Sequence, residues 1–304
     1  MERTAAALRE LGHEVLAVEA ADPTASFDLL HAFGSEPTVW HSLRHWTRNR
    51  RPLVVTSVVV VSPGREERIL RLTARLPILT SGRMKAEVAR QADVLVAGSE
   101  YERRLLTSAL GAPASRVAVV GNGADPVEPG SLPDGVPGGG YILMVGAVDA
   151  RKRQREVLRA LAGRLPIVVA GPYAGPPAER EQWERAVRET GAAWLGPVGE
   201  QRTLAALRAS AIALVHLSTA EVQSLAVLEA LAAGLPAVAS DIPSHRELAA
   251  RYPGRLRLVK APAEVQRAVR KLRTADREPA PVPTWRAVAE LLVEVYGRAL
   301  ASSR

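Results

Sequence analysis

Residues Ser218 to Asp241 read STAEVQSLAVLEALAAGLPAVASD. Glu221 and Glu229 stand eight positions apart, and Glu229 is the only charged residue between Val222 and Ser240. The spacing predicts a loop, a helix and a strand. Ser224 is a good N-cap, and Gly234 with Pro236 ends the helix. That helix has no polar face, so it is expected to lie buried. A buried, unpaired Glu costs several kcal/mol or takes up a proton, roughly as for any charge moved out of water. Glu229 therefore requires a partner, either the hydroxyls of a ligand or an internal cation. The amides that follow Ser224, beginning with Leu225, form an anion site at the helix start. A diphosphate held there would lie between the two carboxylates.

A second segment, Tyr141 to Leu161, reads YILMVGAVDARKRQREVLRAL. An apolar strand ends at Gly146, and Arg151 and Lys152 stand just before a helix. Strand, glycine turn and helix start form a phosphate-facing corner. The chain holds 36 Arg but only 4 Lys and 2 Asn. Such a bias, with 22 Pro, suggests a GC-rich bacterial gene and makes each surviving Lys or Asn informative. A compact ammonium such as Lys152 suits a diphosphate.

Outward from these segments the chain alternates strand and helix. In the first half, strands are expected at Glu14–Glu19, Asp28–Phe33, Leu53–Val61, Asp93–Ala97 and Arg116–Val120. A helix from Ser99 to Leu110 has Ser99 and Glu102 as a capping box. Residues 126–140, rich in Pro and Gly, read as a linker. Beyond it, strands are expected at Tyr141–Val145, Pro166–Ala170, Ala193–Gly196, Ile212–Leu217 and Ala237–Ser240, then an amphipathic helix from Thr284 to Ala301. The fold class is α/β with parallel sheets. The expected domains are 1–125, 141–283 and a closing helix at 284–304.

At 304 residues the chain has room for two domains. It contains no cysteine, which excludes disulfides, thiolate catalysis and cysteine zinc sites. No apolar run reaches bilayer-spanning length and no signal-peptide pattern opens the sequence, so the expected address is cytoplasmic.

The Glu-x7-Glu segment resembles that of the family-four retaining glycosyltransferases of the GT-B fold. VVGNGAD from Val119 and ADVLVAGSEYERRLL from Ala92 are also similar to that family. The resemblance implies two Rossmann-like domains facing a cleft, with the last helix crossing back to the first domain. It implies a hexosyl-type transferase that moves a sugar from a nucleotide-diphosphate sugar with retention, without a metal or other cofactor. On that resemblance Glu221 contacts the sugar, Glu229 holds the ribose, and Gly146, Arg151, Lys152, Ser224 and Leu225 hold the donor, Lys152 and Glu221 being the catalytic pair. The acceptor is a glycan, a lipid-linked molecule or a small molecule. Ala147 stands where many members carry Arg, with Arg151 as its replacement, and Val222, Gln223 and Ser224 replace the family's Gly-Phe-Gly. The opening MERTAAALRELGHEV aligns with a Gly-Gly-x-Glu-Arg pattern from its third position, so the N-terminal domain is expected to lack its first strand. An internal Met1 in a longer protein explains this; a non-catalytic nucleotide-sugar-binding or scaffold protein is the alternative.

Asp-x-Asp is absent, which removes the metal-bridged donor site of the other main glycosyltransferase fold. His41 and His45, at i and i+4, read as solvated or packed rather than metal-binding, and His216 either lines the donor pocket or packs. From Trp40 to Arg90 eleven Lys/Arg face three acids, a net of +8. Arg65, Arg68, Arg71 and Arg75 recur at helical spacing, with Ile69, Leu72 and Leu76 on a neighbouring face. Such a basic amphipathic helix suits an anionic membrane, at its inner face, or is a solvated arginine-rich surface. Nucleic-acid binding is disfavoured by the 4% aromatic content.

Overall fold

The structure, a computed structural model, describes residues 1–17, 26–46, 51–272 and 277–302, the side chains of 44–46 excepted. The chain forms two compact units, Met1–Gly123 with Pro283–Arg304, and Ala124–Val282.

Unit 1 runs α1 (Glu2–Glu10), β1 (Leu30–Phe33), α2 (Pro37–Trp46), β2 (Leu53–Thr56), α3 (Arg65–Thr73), α4 (Ser81–Gln91), β3 (Val94–Ala97), α5 (Glu100–Ser108) and β4 (Val117–Val119). The four strands pair in parallel in the order β1-β2-β3-β4. Alternation along β2 and β3 sorts the side chains into two layers. Leu53, Val55, Leu95 and Ala97 pack with Leu70, Ala86, Val88 and Leu105 of the helices on one face. Val54, Val94 and Val96 pack on the other with Ala7 and Leu8 of α1.

The expected strand at Glu14–Glu19 does not form over residues 14–17, and residues 18 and 19 lie outside the described residues. β2 is shorter than its valine run predicted. Val58 has φ 49°, which breaks the extended path, and Ser57 and Val59 turn toward another partner. That partner is Glu102, which departs from the expected capping box. Ser99 does cap α5, its hydroxyl accepting from the Glu102 amide at 3.2 Å. The Glu102 carboxylate, however, reaches past Ser99 and accepts from Gly98 N (2.7 Å), Val59 N (2.5 Å) and Ser57 Oγ (2.8 Å). Burial outweighs these bonds and raises its carboxyl above the ordinary range.

Unit 2 runs β5 (Tyr141–Val145), α6 (Gln154–Leu161), β6 (Ile167–Ala170), α7 (Arg180–Thr190), β7 (Ala193–Trp194), α8 (Gln201–Ser210), β8 (Ala211–His216), α9 (Leu225–Ala232), β9 (Ala237–Ser240), α10 (Pro243–Arg251), β10 (Leu256–Val259) and α11 (Val265–Leu272). The sheet order is β10-β9-β8-β5-β6-β7, all pairs parallel. In chain order this is the doubly wound arrangement 3-2-1-4-5-6 read from the other edge. Tyr141, Leu143 and Leu214 face a core that includes α8 and α9, whereas Ile142, Met144 and Val215 face α6, α7 and α11. Strand β10 was not legible in the sequence. Among the described residues it pairs only with β9, and its LRLV run puts an exposed Arg257 in its middle. Within residues 126–140, Leu132 and Val136 pack against the unit 2 core, so this Pro- and Gly-rich stretch belongs to that unit.

Helix α12 (Trp285–Ser302) returns to unit 1, where Trp285, Val288, Ala289 and Leu292 join α1 against Val54 and Val96. Gly123 permits this. A Cβ there would stand 2.8 Å from Thr284 C and Trp285 N, so the Asn122-Gly123 pair serves a close backbone approach rather than a turn alone.

Candidate functional site at the strand switch point

The unit 2 order reverses between β5 and β8, and doubly wound sheets bind ligands outside the carboxyl ends of the strands at that point. The loops leaving those strands are residues 146–153 and 217–224. They are the two segments whose sequence carried the candidate residues, so topology brings Gly146, Arg151, Lys152, Glu221, Ser224 and Leu225 to one edge.

Gly146 ends β5 at φ 120°, a conformation that favours glycine, and its amide donates to Ala170 O at 2.8 Å. The Lys152 ammonium lies over Gly146 where a Cβ would have to be. Asp149 shapes the loop by accepting from the Lys152 amide at 2.8 Å. The Lys152 side chain makes no hydrogen bond or ion pair among the described residues. Burial lowers its pKa from the ordinary lysine value; Glu221 opposes that shift, Arg151 adds to it and Asp149 opposes it. An ammonium so placed lacks a close anion.

Arg151 is engaged with the facing loop. Its Nη1 donates to Ala220 O at 2.8 Å, Glu221 Oε1 at 3.0 Å and Ser218 Oγ at 3.3 Å, and its carbonyl accepts from Thr219 N at 2.8 Å. It thus ties the two loops together.

His216, the last residue of β8, places Nε2 3.1 Å from the same Glu221 oxygen. Burial alone would raise the Glu221 carboxyl. The hydrogen bond and charge of His216, then the charge of Arg151 and the Ser218 hydroxyl, outweigh it and hold the group at about 2. Behind His216 the fully buried His245 meets it edge to face at 5.7 Å. His245 Nδ1 lies 2.9 Å from Ser240 O, so Nδ1 carries the ring proton. Burial, then His216, lower His245 to about 4 against the opposing pulls of the Ser240 carbonyl and Glu221. A neutral imidazole therefore backs a carboxylate–imidazole pair.

Ser224 caps α9, accepting from Val227 N at 3.4 Å. The amides of Leu225 and Ala226 have no acceptor among the described residues, as the first turn of a helix dictates. Val227, Leu228, Ala230 and Leu231 bury the inner face of α9, while Leu225, 44% exposed, and Glu229 lie along an open stripe one turn apart.

The expectation of a buried Glu229 is corrected here. Its side chain is 27% exposed and forms an ion pair with Arg208 of α8, itself only 5% exposed. The internal partner is what the residue has in this structure. The sequence held the signal for it: Arg208 is the only Lys, Arg, Asp or Glu between Leu204 and Leu217, as Glu229 is in its own run. Two lone opposite charges in neighbouring apolar helices point to each other. His245 carried no comparable signal.

His41 lies on α2 and the His45 side chain lies outside the described residues. Among the described residues no three His, Asp or Glu gather as a metal site. No helix of the described residues is long and apolar enough to cross a membrane.

Two family models match the chain, "Glycosyl transferases group 1" over residues 139–275 and "Glycosyltransferase Family 4" over residues 18–128. The chain belongs to the family-four type of glycosyltransferases. Solved structures agree on the fold, which is GT-B. A sucrose-phosphate synthase from Thermosynechococcus elongatus is similar at TM-score 0.68 and 19% identity, over 90% of this chain and 74% of that one. A UDP-forming α,α-trehalose-phosphate synthase from Burkholderia vietnamiensis is similar at TM-score 0.59 and 16% identity, over 91% and 70%. A glycosyltransferase involved in avilamycin A biosynthesis is similar at TM-score 0.52 and 20% identity, over 84% and 90%. No curated protein matches the sequence.

Proposed function

We propose that this glycosyltransferase transfers a hexose from a nucleotide-diphosphate sugar with retention of anomeric configuration and without a metal ion. The observation that carries this reading is the Lys152 ammonium, which is partly buried and unmatched by a close anion, at the switch point opposite the open amides of α9. A diphosphate would supply the missing negative charge, and Lys152 with those amides would stabilise the charge that develops on the leaving group. Gly146 leaves room for the Lys152 ammonium, which a Cβ at that position would displace. Arg151 adds positive potential and holds the Glu221 loop in place. Glu221, kept ionised by His216 and Arg151, orients the sugar hydroxyls. Glu229 accepts from the ribose hydroxyls on its open side while Arg208 holds its other side. Acceptor binding is assigned to unit 1, whose basic segment suits an anionic surface; the workplace is then the cytoplasmic face of a bacterial membrane.

The test begins with thermal unfolding in the presence of UDP-, GDP- and ADP-sugars, since ligand at a hundred times its Kd stabilises by about 2.7 kcal/mol. Lys152→Ala should then lower transfer by two to three decades, about 3 kcal/mol for one preorganised donor. Arg90→Ala, a surface change of the same charge, should leave it unchanged. A Lys152→Ala enzyme with more than half its activity would place the phosphate elsewhere. Sugar-nucleotide binding without transfer or hydrolysis would favour the non-catalytic alternative.

A further inference from the structure

Helix α3 turns much of its apolar surface away from its own core. Only Leu70 of the helix and Ala74 just beyond it are buried against unit 1. Leu72, two residues and about 200° further round the helix, is 68% exposed, and Ile69 is 47% exposed. The turn that follows adds Leu76, Ile78 and Leu79, all exposed. Of thirteen exposed large apolar side chains among the described residues, seven lie between Val58 and Leu79. Scattered exposure of that kind is ordinary, but such clustering marks an interaction surface.

The turn is held in shape. Thr80 Oγ1 donates to Thr73 O at 2.8 Å and accepts from Arg83 N at 3.0 Å, and Gly82 packs so closely on Thr73 and Ala74 that a Cβ would collide with them. These apolar side chains are therefore presented by a fixed scaffold.

Arg65, Arg68, Arg71 and Arg75 surround them, all exposed. Residues 40–90 carry eleven Lys/Arg and three acids, a net of +8, which equals the net charge of the whole chain, so the remainder sums to zero. We infer that α3 and the turn to α4 form an interfacial anchor that seats unit 1 on an anionic lipid bilayer, with Ile69, Leu72, Leu76, Ile78 and Leu79 entering the apolar boundary and the arginines meeting the headgroups. Charge chooses this occupant. A second copy would bring two basic patches together, and nucleic acid offers nothing to the apolar centre. The inference rests on the surface-binding part of the proposed function and needs no donor to be bound.

Co-sedimentation of the full chain with vesicles tests it. Binding is expected to vesicles of phosphatidylglycerol and phosphatidylcholine in equal parts, to weaken as salt rises, and to be absent with phosphatidylcholine alone. Leu72→Asp should reduce it at least tenfold, and Arg68→Gln or Arg75→Gln about fivefold each. Leu291→Asp, at an exposed leucine on α12, should leave it unchanged. Vesicle binding equal in Leu72→Asp and the parent, or no preference for the anionic lipid, would overturn the inference. A dimer in light scattering that Leu72→Asp disperses would overturn it in favour of a second copy. Thermal stabilisation by sugar nucleotide, read on the same samples, separates this outcome from the failure of the transferase reading.

Discussion

Breaking the Arg208–Glu229 pair should cost more, in both stability and nucleotide binding, when Glu229 is removed than when Arg208 is. Arg208 is 5% exposed and Glu229 27%. Removing Glu229 therefore deprives the deeper charge of its carboxylate, and truncating one partner of a buried pair costs about 3–5 kcal/mol. The partial hydration of this site places Glu229→Ala near the lower end, about 3 kcal/mol. Arg208→Met keeps most of the apolar stem and leaves a carboxylate that water can reach, for about 1 kcal/mol. Urea unfolding followed by circular dichroism, fitted with a transition for each unit, measures the difference. Calorimetric titration with free UDP, GDP and ADP, at a temperature where each variant is folded, measures the second effect. If the open side of Glu229 holds the ribose, Glu229→Ala loses at least tenfold in affinity for the free nucleotide, while Arg208→Met stays within about threefold, roughly one good hydrogen bond apart. Glu221→Ala should spare the free nucleotide and lower transfer. Equal stability losses in the two pair variants would refute the burial argument, and unchanged nucleotide affinity in Glu229→Ala would refute the ribose assignment.

Acidification should destabilise the protein well above the carboxylate range. His245 is held at about 4 and His31 at about 3, both chiefly by burial, against an ordinary 6.5. Between those values the unfolded chain binds protons that the folded chain does not, so stability falls as pH drops from 6.5, by up to about 1.4 kcal/mol per unit and per group. Glu221 acts in the same direction in a lower window, from 4.5 down to about 2. Chemical unfolding at pH 7.5 and pH 4.5 should show the loss, and His245→Gln should reduce it; equal stability at the two values would contradict the lowered pKa of both imidazoles. Gly123→Ala should cost about 1–3 kcal/mol by overpacking, since its Cβ meets backbone atoms of Thr284 and Trp285 rather than a movable side chain. An unchanged urea midpoint would show that the start of α12 can shift.

Local chemistry made much of this protein legible in its sequence. Apolar runs at strand length, alternating with capped helices, specified two parallel sheets, because strands buried on both faces tolerate few polar residues. Strands β5 and β9 lie where the pattern put them, and Ser99 and Ser224 cap the helices they precede. Gly146, Lys152 and Glu221 stood out because a charge or a glycine at the end of an apolar strand has few structural uses.

Tertiary structure decided what those groups touch. Strand order put the loops after β5 and β8 together and so joined Arg151 to partners in the Glu221 loop that lie 67 or more positions away. It sent Glu102 to the loop after β2 instead of back to its own cap. It gave Glu229 an arginine from the neighbouring helix and placed His245 behind His216. Helical spacing showed that α3 was amphipathic, but not that Leu72 would face outward, because periodicity defines faces and only the neighbouring elements choose which one is covered. Side-chain partners distant in sequence depend on packing and register across the whole unit; a local pattern can single out a lone charge such as Arg208 or Glu229, but packing decides what it meets.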